Sequence, residues 1–428
     1  MNHPQFLFKK KCIFSILILK IMCISSCNTS TNNTKTAAQL LGDSSFDAVC
    51  FGGYRETSRD IVPSVEDLKE DLKILSAMNI KLLRTYNVTL KEIDHLLDAI
   101  TQLKKVDKNY EMYIMLGVWI DCQNARTDHV NHAAESPNND IEMEKAIHLA
   151  NQYPDIIKMI AVGNEAMVKW AESYYVEPYI ILKHVNHLQE LKKQGKLPQD
   201  VWITSSDNFA SWGGGGPEYH VPALKDLIHA VDFISLHTYP MHDTHYNPEF
   251  WKVPENEFEL TIKEQADSAL LRALVYAQHQ YQNVINYMHH VGANKPVHIG
   301  ETGWASFSND LYGPNGSCAN DEYKSGEYYK LMRNWTRKKG ITCFYFEAFD
   351  EPWKDAQNPD GSENHFGFFN TNAQAKYAIW DLYDKGIFKG LTRGGKTISK
   401  TRNGSLDSLM KEVKSPPKNH KLSYHRAS

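Results

Sequence analysis

From residue 46 onward, short runs dense in Val, Ile and aromatic residues alternate with longer amphipathic stretches. The short runs fall at 48–52, 80–85, 111–119, 159–162, 201–205, 233–237, 296–300 and 341–346. Between them lie helical patterns such as 65–77, entered just after Pro63, 142–152, and the long polar-faced stretch 260–290. This rhythm is that of a parallel sheet with crossover helices. Eight strand-and-helix units over residues 46–388 predict an α/β fold, a (β/α)8 TIM barrel forming a single catalytic domain. A doubly wound open sheet is the competing architecture. It would place a glycine-rich phosphate turn after the first strand, whereas Gly52-Gly53 runs into Tyr54-Arg55.

The two ends of the chain break the pattern. Lys9, Lys10 and Lys11 precede the apolar run 12–19, and Ile24-Ser25-Ser26-Cys27 puts small residues before a cysteine. That run is too short to span a bilayer as a mature helix and reads as an export address. Residues 1–26 resemble a bacterial lipoprotein signal, with Lys20 interrupting the run; cleavage would leave Cys27 as the lipidated first residue. A plain secretory signal with an incidental Cys27 is the alternative. Residues 27–45, rich in Thr, Asn and Ser, read as a flexible tether. The resulting expectation is an exported monomer held by lipid on a bacterial membrane, the outer membrane by preference. At the other end, residues 389–428 carry ten Lys and Arg against only Asp407 and Glu412, with few large apolar residues. Low hydrophobicity of this kind predicts a solvated, disordered tail; adhesion to an anionic surface is the functional alternative.

Composition narrows the partner. A formal charge of -4 over 428 residues leaves no global footprint for nucleic acid. Nine Trp and 22 Tyr offer faces of the kind that stack on sugar rings. Cys50, Cys122, Cys318 and Cys343 are scattered without a metal-ligand or CxxC spacing, so neither a metal nor a cofactor is predicted, and pairing into disulfides stays open.

A barrel gathers the C-terminal ends of its strands around the active-site mouth, so polar residues there carry the chemistry. Gly163-Asn164-Glu165 ends the fourth run, and Gly300-Glu301-Thr302-Gly303-Trp304 the seventh. One strand-end glutamate alone reads as a surface residue. Two form the minimum equipment for cutting a glycosidic bond: an acid to protonate the leaving oxygen and a carboxylate to meet the oxocarbenium-like centre. Asn164 adds an amide for a sugar hydroxyl.

The Asn164-Glu165 and Glu301 placements are similar to those of clan A retaining glycoside hydrolases, which implies Glu165 as acid/base and Glu301 as nucleophile. The run from Phe346 through Glu347, Asp350, Glu351, Pro352, Trp353 to Lys354, followed by Glu363-Asn364-His365-Phe366-Gly367, resembles the barrel end of glycoside hydrolase family 17. That resemblance implies a supporting charged network of Glu351, Lys354 and Glu363. Arg84-Thr85-Tyr86 and His237-Thr238-Tyr239-Pro240 resemble the family's Arg-x-Tyr and Tyr-Pro, implying glucose contacts from Tyr86 and Tyr239. Trp304 is a candidate sugar platform, and Asp207 and Asn208 weaker candidates for hydroxyl contacts. Ala305 stands where the family commonly has Pro. The implied activity is endo-hydrolysis of β-1,3-glucans such as laminarin, through a covalent glycosyl-enzyme. Transglycosylation is the enzymatic alternative, and a non-catalytic glycan-binding lipoprotein the alternative of another class.

Overall fold

The structure, a computed structural model, describes Met1 and residues 35–419. Cys27 and the export segment lie outside the described residues.

Eight parallel strands close on themselves: β1 (Asp47–Cys50), β2 (Ile80–Arg84), β3 (Tyr113–Val118), β4 (Ile157–Asn164), β5 (Trp202–Asn208), β6 (Ile234–His237), β7 (Val297–Gly303) and β8 (Cys343–Phe346). Each pairs with its sequence neighbours, and β1 meets β8 through Ala48↔Phe344 and Val49↔Tyr345. All eight apolar runs are therefore strands. Their residues are buried almost throughout, as they must be between barrel interior and helix layer.

The outer helices are α1 (Val65–Ala77), α2 (Lys91–Val106), α3 (Asn138–Gln152), α4 (Pro178–Lys193), α5 (Pro222–Ala230), α6 (Ile262–His290), α7 (Glu322–Lys339) and the short α8 (Trp380–Asp384). Local chemistry sets their ends. Ser64 and Asp67 form a capping box at α1, and Thr261 and Glu264 another at α6, each satisfying donors the helix leaves orphaned. Asp321 caps α7, which stops at Gly340 with φ 64°, a left-handed residue favouring glycine. In α2 the buried Ile93, Leu96, Leu97 and Ile100 fall at i, i+3, i+4 and i+7, one stripe facing the sheet.

Two sequence expectations are corrected. Part of the tether, from Ala37 to Leu41, packs into the main core, and Gly42 N–H donates to Thr342 Oγ1 at 2.7 Å. The basic C-terminal segment is ordered through residue 419 rather than solvated. Leu409 and Val413 join Ala266, Tyr323 and Trp380 in a small second core. Arg393 reaches back to Oδ1 of the fully buried Asp71 of α1 (2.9 Å), and Arg55 donates to the same oxygen (2.9 Å). Gly394 N–H and Thr392 Oγ1 bond Glu70, and Arg402 pairs with Glu322 and Glu412. Composition undervalued this segment because its cations meet carboxylates donated by distant helices. Residues 420–428 lie outside the described residues.

Candidate active site

The strand ends deliver the two glutamates to one place. At the top of β4 the chain bends through Gly163 (φ 84°) and places Glu165 itself in the left-handed region (φ 45°). A non-glycine residue there costs about 1–3 kcal/mol and persists only when its surroundings fix it. They do so here: Glu165 N–H donates to Ser206 O (3.0 Å), Met167 N–H to Asp207 Oδ2 (2.7 Å), and Val176 N–H to Ala166 O (2.7 Å). Glu301 lies inside β7 and needs no left-handed residue, although the register with both neighbouring strands shifts beside it, between Ile299 and Thr302.

Glu301 accepts hydrogen bonds from three side chains. Arg84 Nη1, from the end of β2, donates to its Oε2, and Nη2 of the same guanidinium donates to Asn164 Oδ1. Tyr86 OH donates to Oε2 at 3.0 Å and Tyr239 OH to Oε1 at 2.7 Å. Glu165 instead meets His237 Nδ1 at 3.2 Å, the other ring nitrogen bonding Ser206 Oγ at 2.7 Å.

These surroundings split the two acids. Burial, then the Glu301 charge, push Glu165 up to about 8; Arg84 opposes and Glu363 adds to the rise. Burial also works against ionised Glu301, but is outweighed by His237, Arg84 and the Tyr239 hydrogen bond, which hold it down to about 2. His237 is itself pushed down to about 4 by burial and is neutral at pH 7. At that pH the charge on Glu301 therefore rests on Arg84 and the two tyrosine hydroxyls. One carboxyl is protonated and its neighbour ionised, the pairing that acid-assisted displacement requires.

Of the supporting network, Lys354 joins Glu351 (3.0 Å) and the buried Glu347 (2.6 Å), a partner absent from the sequence expectation. Burial pushes Glu347 far up, while Lys354 holds Glu351 below the usual range, so one carboxyl of the pair keeps its proton. Glu363 stands apart from that cluster, 4.0 Å from His242. Two expected sugar contacts are corrected. Trp304 is fully buried, gives its Nε1–H to Ala319 O (2.8 Å), and is enclosed by Trp251 and Tyr328. Asp207 is fully buried too, its oxygens taken by the Met167 and Asn208 N–H groups, so it braces the Glu165 bend. Asn208 lies near the acid, and its side chain opposes the upward shift of Glu165.

Arg84 and His237 were visible in the sequence as strand-end polar residues but carried no expected role. The sequence also passed over Trp119 and Glu142. Trp119 lines a cleft of about 900 Å³ that opens over the ends of β1, β2, β3, β4, β7 and β8 and is bordered by Tyr54, Tyr86, Asn164, Glu301, Trp353 and Glu363. The buried Glu142 of α3 accepts the N–H groups of Val88 (2.9 Å), Thr89 (3.0 Å) and Trp119 (3.1 Å), tying together the loops after β2 and β3.

A model of the BtgE/BtgC glycoside hydrolase domain matches residues 48–367, from β1 to the segment beyond β8. The chain belongs to this glycoside hydrolase family. It is 58% identical to a crystal structure described as an endo-laminarinase from Formosa Hel1_33_131, with a TM-score of 0.90 over 91% of this chain and 100% of that one. A putative glucan endo-1,3-beta-glucosidase btgC of Aspergillus niger is 24% identical over 308 residues, 70% of this chain and 37% of that protein. The chain thus spans little more than a third of the Aspergillus relatives it matches. A glucan 1,3-beta-glucosidase of Schizosaccharomyces pombe is 25% identical over 73% of this chain and 80% of its own length. As a family member, the chain is a glycoside hydrolase built on a TIM barrel.

Proposed function

We propose that this protein is a retaining endo-hydrolase of β-1,3-glucans of the laminarin type, with Glu301 as nucleophile and Glu165 as acid/base. The observation that carries the chemistry is the opposed protonation of these two neighbouring carboxyls. The likeness to an endo-laminarinase along nearly the whole chain supports the substrate class.

In the first step Glu301 attacks the anomeric carbon while Glu165 gives its proton to the departing glycosidic oxygen. Arg84, Tyr86 and Tyr239 hold the nucleophile charged and aimed, and Arg84 fixes the Asn164 amide beside it. Once Glu301 is esterified its charge is gone, and with it one of the two main causes that raised Glu165. The acid's affinity for a proton then falls, so the same carboxylate serves as base for the incoming water. A sugar hydroxyl can replace that water, and product size decides between the two fates.

Incubating the protein with laminarin and following reducing ends and product lengths tests the reading. Shorter oligomers with new reducing ends are expected. Longer products would make it a transglycosylase, and retained binding without products a glycan-binding protein. Glu301→Gln is expected to abolish turnover; near-normal activity would overturn the nucleophile assignment.

We also propose that the protein belongs to glycoside hydrolase family 17, and that it is an exported monomer anchored through lipidated Cys27. The residues from Phe346 to Phe369 support the first, and the basic and apolar leader supports the second. Fractionation of cells expressing the full chain or Cys27→Ala tests the anchor: the parent is expected in the membrane fraction and the variant released. Equal release of both would refute it.

A further inference from the structure

One firmly braced aromatic of the cleft, Trp119, has no task in this reaction. Trp119 follows β3, is half-buried, and borders the same cavity as Glu301. Its main-chain N–H is held by Glu142, and its indole N–H donates to Asp121 Oδ1 at 2.7 Å. Tyr174 lies against it, ring centroids 5.7 Å apart, and the Arg126 guanidinium sits 5.6 Å from its ring. Asp121 is fixed in turn: its N–H and C=O pair with the buried Asn139 amide (3.0 and 2.9 Å), and its Oδ2 accepts from Arg126 (2.8 Å). With the polar edge of the indole satisfied by protein, what remains for a ligand is its apolar face.

The segment carrying Trp119 is also bonded to the loop that starts at Glu165. It forms a small ribbon, Cys122–Gln123 against Asn131–Glu135. Cys122 N–H donates to Tyr174 O (3.1 Å), Arg126 N–H to Ser173 O (2.7 Å), and Glu177 N–H to His132 O (3.0 Å). The His132 ring stacks on Tyr175 at 3.6 Å. A bonded path therefore runs from the Trp119 ring to the backbone that holds the acid/base.

We propose that Trp119, flanked by Asp121 and Arg126, is a distal glucose subsite that stacks on a ring of the bound glucan away from the bond being cut. This deepens the glucanase reading and rests on it. Stacking uses the part of the ring face that the Arg126 guanidinium, lying over the indole, leaves open, and that guanidinium with the Asp121 carboxylate beside it suits sugar hydroxyls. Because the loop is joined to that of Glu165, part of the energy gained there is realised in the catalytic step, and truncated substrates lose kcat as well as affinity.

The test measures kcat and KM of the parent, Trp119→Ala, Trp119→Phe and Asp121→Asn on laminari-oligosaccharides of increasing length and on laminarin. In the parent, kcat/KM is expected to climb with chain length. Trp119→Ala is expected to flatten that climb, costing about tenfold on the longest substrates and progressively less on shorter ones. Trp119→Phe, which keeps a ring face, should restore most of it, while Asp121→Asn, which loosens the ring without removing it, should show a weaker length-dependent loss. A loss by the same factor at every length, or none, would overturn the subsite. Should Trp119→Ala fail to fold, the Asp121→Asn length series decides by the same criterion. Inactivity of the parent on every oligosaccharide would instead sink the glucanase reading.

Discussion

Replacing Tyr239 with phenylalanine removes one hydroxyl and little else, because the ring stays packed between Phe346 and Phe366. That hydroxyl donates to Glu301 Oε1 at 2.7 Å, a hydrogen bond to an ionised group. Bonds of that kind contribute about 1.5–3 kcal/mol. At 1.36 kcal/mol per pKa unit, the pKa of Glu301 should rise by about 1–2 units. From about 2 it moves to the neighbourhood of 3–4. The sign follows from Glu301 being needed ionised: activity disappears as pH falls through its pKa, so the acid limb of the profile shifts to higher pH. The alkaline limb reports loss of the Glu165 proton near 8, and it should stay in place because Glu301 remains charged throughout that range. Both limbs belong to the coupled pair, so the quantity to compare is the movement of each limb. The assay is kcat/KM on laminarin across the pH range in which the enzyme stays folded, for parent and Tyr239→Phe. An acid limb moving by less than about half a unit, or an alkaline limb moving with it, would refute the account of how Glu301 keeps its charge.

Other consequences are checked more simply. Glu165→Gln should remove the alkaline limb and most of kcat on laminarin, yet lose far less on an aryl glucoside whose leaving group departs without a proton. Arg393→Leu leaves Asp71 buried with Arg55 alone and should destabilise the protein by about 3–5 kcal/mol in urea unfolding. Ser64→Ala removes the α1 cap and should cost about 1 kcal/mol by the same measurement. Trp304→Phe should lower stability by about 1–3 kcal/mol while leaving KM unchanged, since the indole is enclosed by Trp251 and Tyr328 rather than by substrate.

The barrel was legible because burial on both faces gives each strand an unbroken apolar run, and the run ends where the mouth begins. Glu165 and Glu301 were legible for the same reason, as charged residues interrupting those ends. Side-chain direction past the strand was not. Trp304 lies just three residues beyond Glu301, yet it turns under the loop, where Ser325 of α7 holds its carbonyl at 2.7 Å. Trp119 sits one residue beyond β3 and remains in the cleft because Asp121 and Glu142 stop it from folding inward. The direction of Trp304 is decided by Trp251, Ala319 and Tyr328, partners far along the chain that no local pattern carries. The C-terminal cations were misjudged on the same ground, since Asp71 and Glu322 are distant in sequence and close in space.

The Asp71–Arg393 contact spans 322 residues and joins the first helix of the barrel to the segment beyond its last strand. Closing so long a loop carries a large entropic cost, so this contact belongs to the end of the folding reaction rather than its nucleus. Until it forms, the first helix of the barrel must keep a carboxylate in reach of water. The latch should accordingly govern the unfolding rate far more than the folding rate. A clasp of this kind lengthens the life of the folded state without making that state form any faster.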